Sequence, residues 1–243
     1  MTGGRAIAER PTLTILFSDV PDAVSVPAGV YAPQHDSQLL IEAMTRSGVV
    51  VGCDVLDLCT GSGAVAIAAA QLGARTVTAF DICPDAVECA TSNAVAAGVG
   101  VDARVGMWVD AFLAGPYDVV VSNPPYVPTD PDAEFESIPV EAGPATAWNA
   151  GLDGRDVFNP LCDSAPELLK AGGTMLIVQS EFADIDQSLR RLRSGGLRAE
   201  VVLSQLIPFG PVLAARASWM ESIGTLPVGR REEEIVVIRA DKR

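Results

Sequence analysis

The sequence predicts an α/β fold: a seven-stranded, mostly parallel sheet with helices on both faces and an antiparallel last strand. Three observations predict it. From residue 50 onward, short β-branched runs alternate with alanine-rich stretches of helical length, the pattern of a parallel sheet covered on both faces. A glycine turn, "DLCTGSGAVA" at 57–66, joins the first run to the first such stretch. The last two runs lack an obvious long helix between them, so they are expected to pair antiparallel.

Each element follows from its residues. "GCDVLDLC" (52–59) is apolar and has a strand's length, and "GAVAIAAAQLGA" (63–74) reads as a helix ending near Gly73. "RTVTAFD" (75–81) is the second strand. "PDAVECATSNAVAAG" (84–98) is a helix with Pro84 suited to its first turn and Gly98 beyond its end. "VDARVG" (101–106) and "YDVVVSN" (117–123) are strands, and a helix follows over roughly 156–170. "GGTMLIVQS" (172–180), a polar helix at 184–194, and the strands "LRAEVVLSQL" (197–206) and "EEIVVIRA" (233–240) complete the pattern. Residues 207–232 between those strands read as a long loop exposing Phe209, Trp219 and Met220; such loops are often binding lids. Ahead of the alternation, residues 11–48 suggest a short strand or hairpin and then a helix near 36–47. Leu39, Leu40, Ala43 and Met44 then form an apolar stripe at helical spacing over 36–47.

Composition bounds the function. The net charge is −14 over 243 residues, which disfavours nucleic acid as a partner without excluding it. Arginines gather at 190, 191, 193 and 198 and at 230 and 231, the first group reading as a solvated helix face. Five cysteines form no C-x-x-C pair, and His35 is the sole histidine. Reduced thiols in a cytoplasmic protein without a metal site are therefore expected. No apolar run approaches the ~20 residues of a membrane span, and no secretory leader is evident.

Gly61, Gly63 and Ala66 satisfy G-x-G-x-x-A, and Asp81 ends the next strand twenty residues after Gly61, the spacing of a nucleotide-binding crossover. Charge narrows the ligand. A pyrophosphate needs bare amides free of nearby carboxylates, yet Asp57 stands where the strand meets the turn. A carboxylate there suits a ligand with an ammonium group and no phosphate, as in S-adenosylmethionine. Asp81 would accept hydrogen bonds from ribose hydroxyls.

The run 117–121 leads into "SNPPYVP" (122–128). Each proline confines the residue before it to extended backbone, so the turn is stiff and its imide nitrogens donate nothing. The Pro124 carbonyl and the Asn123 side-chain oxygen then offer two fixed acceptors for the hydrogens of an NH₂ group. Tyr126 offers a flat face for a planar group. Held this way, an amide or aryl amine nitrogen can be aimed at a methyl donor, and no strong general base is obvious. Asp36 is either a helix cap or a ligand contact, Trp108 reads as core, and His35 is not assigned a catalytic role.

"VLDLCTGSG", "FDICPDAVECATSNA" and "VVSNPPYVP", in this order, resemble the Rossmann-like class I S-adenosylmethionine-dependent methyltransferases of the N-P-P-Y type. "VYAPQHDSQLLIEAM" (30–44) and "ATAWNAGLDGRDV" (145–157) narrow the resemblance to the HemK/PrmC-like glutamine methyltransferases that modify release factors. Fifty-six residues precede Asp57, too few for the N-terminal helical domain of the longer bacterial enzymes, so the chain resembles the short branch. The resemblance implies catalytic roles for Asn123, Pro124, Pro125 and Tyr126. It implies a cofactor site of Asp57, Thr60, Gly61, Ser62, Gly63, Asp81, Ile82 and Asn123, with Asp110 and Ala111 at the adenine. S-adenosyl-L-methionine would be converted to S-adenosyl-L-homocysteine by residues 49–243, with residues 1–48 an appendage packed on them. The expected acceptor is a protein glutamine amide, with a release factor as first candidate; an exocyclic base amine or a small molecule remains the alternative. Some of that branch need an activator subunit, which the sequence does not reveal.

Overall fold

The computed structural model describes residues 24–27, 29–131, 138–139 and 142–243. The short strand or hairpin expected ahead of the first helix falls largely outside them. The chain order is α1 (His35–Ser47), β1 (Asp54–Leu58), α2 (Ala64–Gln71), β2 (Thr76–Asp81), α3 (Pro84–Ala96), β3 (Asp102–Val105), α4 (Trp108–Ala111), β4 (Tyr117–Ser122), α5 (Phe158–Leu168), β5 (Leu169–Ser180), α6 (Ile185–Ser194), β6 (Arg198–Pro208), α7 (Pro211–Ser222) and β7 (Glu232–Asp241). The seven strands form one sheet in the order β3-β2-β1-β4-β5-β7-β6. All neighbours are parallel except β7, which runs antiparallel to both β5 and β6.

The central strands are apolar on both faces because both faces are covered. Leu39, Leu40, Ala43 and Met44 of α1 pack with α2 and with Val55, Val119, Leu176 and Val237 on one face. Phe158, Leu161 and Leu168 of α5 and Leu192 of α6 pack with Leu56, Val120, Met175 and Ile238 on the other. The strand order reverses between β1 and β4, and that reversal opens a crevice at the strands' carboxyl ends.

One expectation is overturned. Within 207–232, Pro211–Ser222 form the helix α7 rather than a loop, and Met220 is fully buried rather than exposed. Val212, Leu213, Ala217 and Met220 build a small core with Val127 and Trp148, against which Phe209 and Trp219 are partly buried. Buried Arg216 donates to the Pro128 carbonyl at 2.7 Å and to Asn149 Oδ1 at 2.6 Å, and its guanidinium lies 4.7 Å from the centre of the Trp148 ring. Thus α7 fastens the chain that follows the proline turn.

Candidate active site

A cavity of about 340 Å³ occupies the crevice at the ends of β1, β2 and β4, at the small end of the roughly 300–1,000 Å³ usual for ligand sites. The glycine turn forms its floor. Gly61 and Gly63 have φ of 53° and 83°, and Cys59, although not glycine, has φ 60°. A Cβ on Gly63 would meet the Ala90 backbone at 2.9 Å, so this glycine also lets α2 and α3 approach. The turn is closed by Gly63 N–H donating to the Thr60 carbonyl at 2.8 Å.

Asp81 lines the cavity with both oxygens oriented by backbone. Gly61 N–H donates to Oδ2 and Cys83 N–H to Oδ1, each at 2.9 Å. Each oxygen keeps a lone pair for a further donor, an arrangement suited to a diol. Asp57 lies behind the floor, 1 % exposed, and accepts from Thr60 Oγ1 at 2.6 Å. Burial pushes its carboxyl up to about 7, against the Thr60 hydrogen bond and with repulsion from Asp81. Thr60, Gly61, Ser62 and Ile82 reach the cavity; Asp57, Gly63, Asp110 and Ala111 do not line it. Asp110 instead accepts from Met107 N–H at 2.8 Å, closing the single turn of α4, and Ala111 is buried beneath that turn. Met107 and Trp108 form the wall there, so Trp108 is a cavity residue rather than only core.

The opposite wall is the proline turn. Asn123, Pro124, Pro125 and Tyr126 all line the cavity. Asn123 Nδ2 donates to Ser37 Oγ at 3.2 Å, which commits the amide nitrogen to α1 and leaves Oδ1 as the acceptor for a ligand. Asp36, 4 % exposed, is not the helix cap, a position held by Gln34. Its Oδ2 accepts from Tyr31 Oη at 2.9 Å and Tyr126 Oη at 3.0 Å, and its Oδ1 accepts from Ser37 N–H at 2.6 Å. Burial, with Asp36 beside them, holds both phenols well above the ordinary tyrosine range. Tyr126 is therefore a neutral donor locked by its hydroxyl, presenting its ring rather than a base. Gly154 allows the 145–157 segment to close on this turn, since a Cβ there would lie 2.4 Å from the Tyr126 carbonyl oxygen.

Among the described residues, no lysine or arginine lines the cavity, which speaks against a phosphorylated ligand. A carboxylate whose two oxygens are oriented as a diol would require, glycine-turn amides and a second carboxylate behind them fit a nucleoside bearing positive charge. The residues present thus fit S-adenosylmethionine.

The chain is 31 % identical over 190 residues to a protein of Methanocaldococcus jannaschii named putative protein N5-glutamine methyltransferase, covering 77 % of this chain and 91 % of that one. The chain belongs to the HemK/PrmC-like family of methyltransferases. Members include the release factor glutamine methyltransferase of Rhodospirillum rubrum, 38 % identical over 151 residues, covering 60 % of this chain but 45 % of the relative; the chain spans about half the length of that bacterial enzyme. The matching family profile is ribosomal protein L11 methyltransferase (PrmA), over residues 36–124, which runs from α1 into the proline turn. Among solved structures, the Mtq2–Trm112 complex of E. cuniculi, described as methylating the termination factor eRF1, aligns with TM-score 0.59 at 21 % identity over 88 % of this chain and 99 % of that one. As a HemK/PrmC-like protein the chain is an S-adenosylmethionine-dependent methyltransferase. Among the described residues, no helix is long and apolar enough to cross a membrane.

Several residues of the site are not singled out by the sequence. Tyr31, Ser37 and Trp148 line the cavity; the first two fall within the 30–44 stretch and Trp148 within the 145–157 stretch that carry the family resemblance, the one signal that points to them. Nothing local marks Asp36 as the partner of a tyrosine ninety positions away.

Proposed function

We propose that this methyltransferase modifies the side-chain amide nitrogen of glutamine in a protein, with a translation release factor as the first substrate to test. The observation that carries the reading is the orientation of Asn123: its nitrogen is tied to Ser37, so its oxygen is the atom left for the substrate. Asn123 Oδ1 and the Pro124 carbonyl accept the two amide hydrogens, and the Tyr126 ring supports the amide plane. This leaves the nitrogen's out-of-plane direction facing the cofactor side of the cavity. Fixed orientation of that kind contributes several of the roughly 7–11 kcal/mol available from ideal positioning. Bound S-adenosylmethionine supplies a methyl group already activated on a sulfonium. Asp81 would hold the ribose, Thr60 to Gly63 the amino-acid portion together with the charge of Asp57, and Ile82 with Met107 and Trp108 the adenine side. The nitrogen would gain the methyl group as the carbon–sulfur bond breaks and its electron pair stays on sulfur, and would shed one proton to solvent, because the site keeps Tyr126 protonated.

The arginine clusters support a protein rather than a nucleic-acid acceptor. Arg190, Arg191, Arg198, Arg230 and Arg231 are each paired with a carboxylate, and Arg193 donates to the Ala199 carbonyl, so neither cluster is a bare phosphate surface. The cysteines, all free, suit a cytoplasmic location. The test is transfer of labelled methyl groups from S-adenosylmethionine into a lysate lacking this activity, run with and without a Trm112-type subunit, the partner in the E. cuniculi complex. Label released by protease is the expected result; label released by nuclease would move the acceptor to a base amine. A smaller effect follows from α1. Ser37→Ala frees the Asn123 amide to rotate, and kcat is expected to fall roughly tenfold, the worth of one directed hydrogen bond, with the affinity for S-adenosylmethionine unchanged in calorimetry.

A further inference from the structure

Behind the wall made by Tyr31, Asp36 and Tyr126 lies a second cavity of about 170 Å³. That is roughly the space of five or six waters at ~30 Å³ each, or of one long side chain. Its far side is Glu233 of β7, with Gln34 and His35 at the start of α1 and the apolar Phe209 and Leu213 beside the start of α7. Glu233 is 4 % exposed, and its Oε2 has no hydrogen-bond partner among the described residues. Burial pushes its carboxyl up to about 7; the Ser180 hydroxyl and Arg230 oppose this, and Asp36 and Glu181 add repulsion. Among the described residues, no lysine or arginine lines the cavity. A buried carboxylate oxygen without a donor is retained at a cost, and the reading of the first cavity makes no use of it.

The missing component is a donor, and the facing charges define its sign. Asp36 closes one side of the cavity and Glu233 the other, while Phe209, Leu213 and Trp148 supply the apolar lining along which an aliphatic stem can lie. Tyr126, Val127 and Trp148 line both cavities. The second cavity therefore adjoins the one in which Asn123 would hold the substrate's amide.

We propose that the second cavity is a subsite for a cationic side chain of the substrate polypeptide, a lysine ammonium or arginine guanidinium, with Glu233 as its charge partner. The assignment rests on the protein-acceptor reading above. The probes are N-propylguanidinium and N-propylurea, nearly equal in shape and differing in charge, titrated calorimetrically at pH 8, where the Glu233 carboxyl is ionised. The guanidinium is expected to bind the wild-type enzyme, with at least about tenfold weaker binding to Glu233→Gln, a variant that keeps the side chain's shape. The urea is expected not to bind. In turnover assays the guanidinium should raise KM for the protein acceptor and leave KM for S-adenosylmethionine unchanged. Equal binding of the two probes, or undiminished binding to Glu233→Gln, would overturn the proposal. Inhibition independent of acceptor concentration would also overturn it, by placing the cation outside the substrate's path. The calorimetry needs no methyl transfer, so its failure counts against the subsite alone. Cation binding in an enzyme that methylates no protein would count against the acceptor reading.

Discussion

Replacing Asn123 by alanine is expected to reduce methyl transfer by about 10²–10³-fold, the usual loss when one preorganised polar contact to a reacting group is removed. The affinity for S-adenosylmethionine should change by less than about twofold. The separation follows from geometry. Asp81 is oriented by Gly61 and Cys83, and the Asn123 amide bonds to Ser37 of α1 rather than to the glycine turn. A nitrogen held only by Pro124 can rotate away from the methyl group, and that loss belongs to the chemical step. Rapid-quench single-turnover rates at saturating cofactor, paired with calorimetry, measure the two quantities apart. A parallel fall in both would mean that Asn123 shapes the turn instead of the acceptor.

Asp57→Asn is expected to strengthen the fold and weaken the binding of cofactor. The folded carboxyl titrates at about 7 because it is buried, against roughly 3.9 for an unfolded aspartate. A carboxyl raised in this way contributes its full stability below the unfolded value, and that contribution is lost as pH rises through about 7. At pH 8 the native ligand-free protein therefore carries a penalty of about 4 kcal/mol, at ~1.4 kcal/mol per unit. Asparagine removes it while still offering Thr60 an oxygen. Thermal unfolding should show a higher Tm for the variant at pH 8 and almost none of that gain at pH 4. Cofactor affinity should move oppositely. A positively charged ligand favours the ionised carboxylate, so wild-type affinity should rise with pH through about 7. The variant should bind about tenfold more weakly at pH 8, with that pH dependence gone. A flat wild-type profile would remove Asp57's charge from the ligand's surroundings.

Features that depend on neighbours within a few residues are legible in the sequence of this molecule. Strand and helix alternation, the positive-φ glycines between β1 and α2, Asp81 at the end of β2 and the stiff Asn123–Tyr126 turn are all of this kind. The features that stay hidden depend on distant contacts. The spacing of Val212, Leu213, Ala217 and Met220 is helical, but Arg216 stands among them, and a buried arginine reads as a surface residue until its partners Pro128 and Asn149 are known. Asp36 meets Tyr126 only because α1, packed on one face of the sheet, brings its first turn to the chain that follows β4. Glu232, Glu233 and Glu234 look alike in sequence, and only the register of β7 against β6 turns Glu233 inward. The place of Asp110 after β3 suggests a ligand contact, whereas its carboxylate is bonded to the Met107 amide.

The most direct measurement is fragmentation mass spectrometry of a purified release factor after incubation with the enzyme and S-adenosylmethionine, with Asn123→Ala as control. One added methyl group on a glutamine side-chain nitrogen is expected, absent with the variant. A methyl group on lysine, arginine or the main chain, or the same modification with Asn123→Ala, would contradict it.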